Sequence, residues 1–244
     1  MYFIGDTHGI RPIFSIIDKH KLENQNLIHV GDLGLGFQEI TRDIQNLLVL
    51  DEMLLETNNH LYAIRGNHDN PIFWDRSKGL WLPKLHNVHL LDDYSVRKIE
   101  NKTILFIGGA ISIDRRPRMA EFPPSWWKDE EFVLDLEKID AIASKTPSID
   151  IVVTHTAPDF CYPTDDNVSI VNHYHAIELA HGIDLKQQLR NERSDLTEIY
   201  NNLTHHYGHY PSHWLYGHFH STKKKVHDKT EFKLLNINEL YEIN

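Results

Sequence analysis

Cysteine occurs once in this 244-residue chain, at Cys161, so no disulfide within the chain can staple the fold, and stability has to come from a buried core. The sequence has no run near the ~20 apolar residues of a membrane span. Its first residues, Met1 to Asp6, show no basic segment, long apolar stretch or cleavage signal, which makes a cytoplasmic location the expectation. Positive charge is also short: 25 Lys and Arg stand against 35 Asp and Glu, a formal net charge of −10. Duplex nucleic acid is held largely by Lys and Arg that displace counterions, so stable nucleic-acid binding is not expected, and an anionic membrane is an equally poor partner. Histidine, by contrast, is plentiful, with 18 copies. Imidazole titrates near neutrality and is the commonest protein metal ligand, so the placement of these residues decides what they mean.

Hydrophobic residues make up 41% and charged residues 25%, as in ordinary globular proteins. The length fits one large domain over residues 1–244. Tyr2–Gly5, Asn26–Val30 and His60–Ile64 are short apolar runs that read as buried strands, separated by helical spacing from Pro12 to His20 and from Glu39 to Glu56. This alternation predicts a parallel sheet with crossover helices. Val88–Leu91, Ser95–Ile99 and Thr103–Ile107 follow too closely for helices and suggest a second, more antiparallel sheet. Asp129–Ser144 reads as a helix, Ile149–Val153 as a strand, about His175 to Tyr207 as helix broken near Arg190–Ser194, Trp214–Tyr216 as a strand, and Lys225–Leu240 as closing hairpin strands. Two long connections, 109–128 and 156–174, are candidates for specificity loops, because long connections in compact domains are usually functional.

The strand ends share a feature. Asp6 and His8 follow the first strand, Asp32 the second, Asn67, His68 and Asp69 the third, His155 a later one, and His218 and His220 the last. In open α/β sheets ligands bind beyond the carboxyl ends of the strands, where these side chains can converge. Oxygen and nitrogen donors without thiolate suit Mn²⁺, Fe, Zn²⁺, Mg²⁺ or Co²⁺. With few carboxylates, such a site stays cationic and attracts a phosphate dianion.

Gly5-Asp6-Thr7-His8-Gly9, Gly31-Asp32, Gly66-Asn67-His68-Asp69, Thr154-His155 and Gly217-His218-Phe219-His220 resemble, in order, the five motifs of the calcineurin-like metallophosphoesterases. The resemblance implies a four-layer α/β/β/α sandwich of two mixed sheets flanked by helices. It implies two divalent metal ions, Mn²⁺ first among them, one held by Asp6, His8, Asp32 and His220, the other by Asp32, Asn67, His155 and His218. His68 would stand near the leaving oxygen as general acid or donor, and Arg65 resembles a phosphate-clamping arginine of the protein-phosphatase branch. That branch also has an Asp-Arg pair shortly after its second motif. Here Asp32-Leu33-Gly34-Leu35-Gly36-Phe37 has neither residue, which leaves open what orients His68, with Asp69 as one candidate.

For substrate, Arg115, Arg116 and Arg118 with Trp126 and Trp127 suit a base plus a phosphate, with Arg116 as a substrate contact, or else form a solvated basic turn with packed tryptophans. His173, His175, His181, His205, His206 and His209 read mainly as surface residues, and Cys161 as inert. The chain more loosely resembles phage-encoded metallophosphoesterases, including deoxyribonucleoside 5′-monophosphatases. The expectation is therefore a two-metal phosphomonoesterase, a 5′-nucleotidase-type phosphatase acting on small nucleotides. The alternatives are a phosphoprotein Ser/Thr phosphatase, a phosphodiesterase or dinucleoside-polyphosphate hydrolase, and a catalytically dead protein-binding scaffold.

Overall fold

A strand that is apolar at every position needs cover on both faces of its sheet. The computed structural model, which describes residues 1–163 and 168–243, supplies that cover with two sheets stacked face to face and helices on each outer side. β1 (Tyr2–Ile4), β2 (Asn26–His29), β3 (His60–Ala63) and β4 (Val88–Leu90) pair in parallel in that order. β5 (Ser95–Ile99), β6 (Lys102–Ile107), β7 (Ile151–Thr154), β8 (His213–Tyr216), β9 (Lys223–His227) and β10 (Thr230–Leu234) form the second sheet in the order β5-β6-β7-β8-β10-β9. β11 (Leu240–Glu242) returns to the first sheet, antiparallel to β1.

Side-chain alternation assigns each strand residue to a layer. Phe3, Ile28, Ile104, Phe106, Ile151, Val153 and Leu215 meet in the core between the sheets. Ile4, Leu27, Leu61 and Ala63 face outward under α1 (Arg11–His20) and α2 (Ile40–Glu56), whose Ile13, Ile17, Leu47, Leu50 and Leu54 recur at helical spacing. Beyond the second sheet, Leu105, Val152, Trp214 and Phe232 pack under α4 (Leu136–Lys145) and α6 (Leu185–Asn201); α3 (Arg115–Met119) and α5 (Val168–Leu179) lie between β6 and α6 in the chain. Among the described residues, no helix is long and apolar enough to cross a membrane.

Four details differ from the sequence-based expectation, the first being that the helix expected from Asp129 starts only at Leu136, where Asp135 accepts the N–H of Lys138. β4 joins the first sheet in parallel with β3. Its approach is fixed by Asp51 on α2, whose carboxylate accepts the backbone N–H groups of His86, Asn87 and Val88 at 2.7 to 3.0 Å. The second sheet is mostly parallel, with β6, β7, β8 and β10 in parallel and only β5 and β9 antiparallel. The helical break lies at 180–184, not at 190–194. Gly182 takes a left-handed φ of 77° there, and Asp184 restarts the helix by accepting the N–H of Gln187. The polar run Arg190–Ser194 stays helical, with Glu192 turned inward. Of the two expected specificity loops, 109–128 contains α3 and 156–174 contains the start of α5; residues 164–167 of the latter lie outside the described residues.

Candidate metal centre

Parallel strands open their carboxyl ends to one side, so residues just beyond β1, β2, β3, β7 and β8 gather from both sheets over a common floor. Reaching it demands an uncommon backbone. His8, Asp32, His218 and His220 have φ of 49°, 58°, 70° and 49°, a left-handed region that non-glycine residues enter at a cost. The adjoining glycines make room for the carboxylates: a Cβ on Gly66 would fall 2.1 Å from Asp32 Oδ1, and one on Gly217 would fall 2.0 Å from Asp6 Oδ1.

Asp6, His8, Asp32 and His220 bring one donor atom each within 4.8 Å of one another and can hold a divalent ion. His8 Nε2 lies 3.4 Å from Asp32 Oδ2, and His220 Nε2 lies 3.4 Å from Asp6 Oδ2. Beside them, Asn67 Oδ1 lies 3.0 Å from His155 Nε2 and 2.8 Å from His218 Nδ1, and His155 Nε2 lies 3.2 Å from Asp32 Oδ1. The two oxygens of Asp32 thus face different groups of donors. Asp6 and Asp32 are fully buried, and among the described residues Asp6 Oδ1 has no hydrogen-bond partner. A buried carboxylate oxygen with no donor is costly unless a cation completes it, and the oxygen–imidazole donor set fits Mn²⁺ and its neighbours.

The electrostatics agree. Burial alone would raise the Asp32 carboxyl, but His155 and His68 hold it well below the usual carboxylate range. Burial alone would lower His155; Asp32 and Asp6 outweigh it and push it up to about 10. His155 Nδ1 donates to the Val30 carbonyl at 2.8 Å, which turns Nε2 towards Asp32 and Asn67. His218 is pushed well below its ordinary value, first by burial and then by His155.

His68 sits at the mouth of this floor, half-buried, its ring 5.1 Å from that of His8 and 5.6 Å from that of Phe37. Burial lowers its pKa, and the charges of Asp32 and Asp114 oppose that shift. Asp69 does another job. Its buried carboxylate accepts the N–H groups of Leu33, Gly34, Leu35 and Gly66 at 2.7 to 3.1 Å, so the Gly31-to-Gly36 loop is wound around it. Asp114, unforeseen from the sequence, lines a cavity of about 200 Å³ together with His68, Asp32, Asn67, His218 and His220. The rest of that cavity is apolar or aromatic: Ile113, Tyr162, Ile170, Val171, Tyr174, Leu189 and Phe219.

The expected arginine contacts need correction. Arg65 is buried, and its guanidinium donates to Asp93 at 2.7 and 3.1 Å and to the carbonyls of Asp129, Glu130 and Glu131 at 2.7 to 3.2 Å. These bonds use the donor capacity a phosphate clamp would need, so Arg65 ties β3 to the 129–131 segment. Arg116 is bound through two nitrogens to Glu178 of α5, at 3.0 and 3.4 Å, and Arg115 Nε shares the same carboxylate at 3.3 Å. Arg118 is buried, stacks over Trp127, and donates to the main-chain oxygen of Asn67 at 2.9 Å. Neither Arg65 nor Arg116 is among the residues lining the cavity. His173, His181, His205 and His206 are exposed, His175 is half-buried and His209 buried; none lines the floor. Burial pushes the Cys161 thiol up to about 12, which keeps it unreactive.

Residues 1–222 match the model of the calcineurin-like phosphoesterase family. Among curated proteins, no sequence relative was found. Solved structures resemble the chain at low identity. A protein of Thermus thermophilus, TT1561, is 10% identical with a TM-score of 0.53, over 97% of this chain and 89% of that one. A phosphopantetheinyl hydrolase from Mycobacterium tuberculosis is 14% identical with a TM-score of 0.43, over 97% of this chain and 89% of that one. A putative 5′-nucleotidase from Staphylococcus aureus, in complex with alpha-ketoglutarate, is 14% identical with a TM-score of 0.43, over 97% of this chain and 48% of that one.

Proposed function

From the premise that this chain belongs to the calcineurin-like phosphoesterase family, we propose that it is a two-metal phosphomonoesterase acting on small nucleotides, 5′-(deoxy)nucleoside monophosphates first. The observation that carries this reading is one cavity with two unlike parts. Its floor holds a buried, unpartnered carboxylate oxygen among imidazoles, and its wall is apolar and aromatic. In this reading Asp6, His8, Asp32 and His220 hold one divalent ion, and Asp32, Asn67, His155 and His218 a second, with Mn²⁺ the first choice. When bound, the pair supplies Lewis acidity to the phosphoryl oxygens and a water acidified towards neutrality.

The chain's own residues do the rest. Asp32 sets the spacing of the two groups of ligands through its two oxygens. His68, at the rim beside His8, donates a proton or hydrogen bond to the departing alkoxide oxygen. Ile113, Tyr174, Leu189 and Phe219 take up the flat, apolar part of the leaving group and exclude water from it. Asp114 accepts from a hydroxyl or amino group of that same moiety. The phosphoprotein alternative loses the free arginine that supported it, because Arg65 is engaged elsewhere.

A second reading, a phosphodiesterase or dinucleoside-polyphosphate hydrolase, is favoured by one observation. A neighbouring cavity of about 420 Å³ shares His8 with the floor and is lined by Arg11 and Arg42, with room for a further anionic substituent. The test is phosphate release from ribo- and deoxyribonucleoside 5′-monophosphates, a phosphopeptide, a bis-phosphodiester and a dinucleoside polyphosphate, with Mn²⁺ and with chelator. Chelator-sensitive turnover concentrated on the monophosphates is the expected result. Preference for the diester or polyphosphate would move the assignment to the second reading, and turnover insensitive to chelator would sink both.

A further inference from the structure

An asparagine that ligates a cation has to present its oxygen, because the other end of the amide is an NH₂ group that repels the ion. The two ends are nearly equal in shape, so something else must choose between them. Asn67 is buried, and its Nδ2 donates to Ser112 Oγ at 3.0 Å. Ser112 is itself buried, and Oγ accepts a second N–H, from Arg118 Nη1, while the Glu130 carboxylate that accepts the Ser112 backbone N–H lies beside it.

With both lone pairs taken by N–H groups and a carboxylate close by, the Ser112 hydroxyl is set to accept from the Asn67 amide rather than to donate to it. An Asn67 side chain turned the other way would set oxygen against oxygen there, and would aim NH₂ at His155 Nε2 and His218 Nδ1. Arg118 adds a second restraint: its Nη2 donates to the main-chain oxygen of Asn67 at 2.9 Å and holds the residue's backbone. Glu130 completes the set by accepting the Ser112 N–H at 3.2 Å and pairing with Arg118 Nη2 at 3.5 Å.

We propose that Ser112 and Arg118 are positioning residues that lock the Asn67 amide with its oxygen towards His155 and His218, and so set the affinity of the second metal site without touching the ion. The inference rests on the two-metal reading above. It gives the 109–128 connection a role in the metal centre as well as in the cavity wall.

The test is Mn²⁺ titration of the full chain, followed by calorimetry and by electron paramagnetic resonance, which separates coupled ion pairs from single ions. Ser112→Ala should weaken the second ion by about 10- to 100-fold, the usual cost of removing an outer-shell partner, and leave the first within about threefold. Asn67→Asp supplies the control, because a carboxylate offers oxygen at either end. In that background Ser112→Ala should cost the second ion less than about threefold. Equal weakening of both ions, or an undiminished penalty in the Asn67→Asp background, would overturn the proposal while leaving two metals in place. A wild-type chain that takes up a single ion would overturn the two-metal reading, and this inference with it.

Discussion

The floor of the cavity, built by residues that follow β1, β2, β3, β7 and β8, and its wall, built by 111–118, α5 and α6, treat charge in opposite ways. On the floor a buried carboxylate oxygen is left without a donor and imidazole nitrogens crowd together. Beside the wall each guanidinium is neutralised from within: Arg115 and Arg116 by Glu178, Arg118 by Glu130 and Asp114. The floor can therefore take a cation, whereas the wall offers shape. In the proposed reading the reaction is set by residues legible as motifs, and selection among substrates by packing around them.

The sharpest way to break the contrast is at the shared carboxylate. Asp32→Asn should empty the floor of both ions and lower turnover well beyond the ~100-fold that loss of an outer-shell partner costs, as metal analysis and kinetics on the same sample will show. His68→Ala acts on chemistry alone, so kcat should fall by roughly 10²- to 10⁴-fold with metal content nearly intact. Loss of metal equal to that of Asp32→Asn would contradict the role given to it.

On the wall the effect should be smaller and should depend on the substrate. Leu189→Ala removes apolar surface worth about 1 to 2 kcal/mol, so KM for a nucleoside monophosphate should rise about 5- to 30-fold. Methyl phosphate, which does not reach the wall, should change less than about twofold; a matching loss on both would show damage to the floor instead.

The smallest effect concerns stability. Burial raises the Glu192 carboxyl to about 7, against hydrogen bonds from the Ile111 N–H and the Thr156 hydroxyl. Between the ordinary carboxylate range near 4.5 and about 7, the unfolded chain releases this proton first, so stability falls as pH rises through that window. Glu192→Gln should flatten that slope by on the order of 1 to 2 kcal/mol at pH 8, measurable in urea melts at pH 5 and pH 8. An unchanged slope would show that the carboxyl is ionised in the folded state throughout.

The sheets were readable because β1, β2, β3 and β7 are apolar runs cut off sharply by Gly, Asp, Asn or His, and the same cut-offs mark the floor. Arg65 shows where such reading ends. Its partners, Asp93 and the carbonyls of 129–131, are 28 to 66 residues away and carry no local signature. The capture of Arg116 by Glu178, 62 residues on, is equally silent in the sequence. Ser112 and Asp114 are ordinary residues in a connection, made notable only by what the fold sets beside them. β4 and the break at Gly182 were misplaced because Asp51 and Asp184 act through backbone N–H groups, which composition does not show.

The left-handed backbone at His8, Asp32, His218 and His220 sets thermal tolerance against activity. Each of these residues holds a conformation that glycine would adopt without penalty, a difference of about 1 kcal/mol per position. Selection for heat resistance alone would therefore be drawn to the very positions proposed to hold the metals, and on that reading would harvest robust but inert descendants. A thermostability screen of this chain needs an activity filter from its first round.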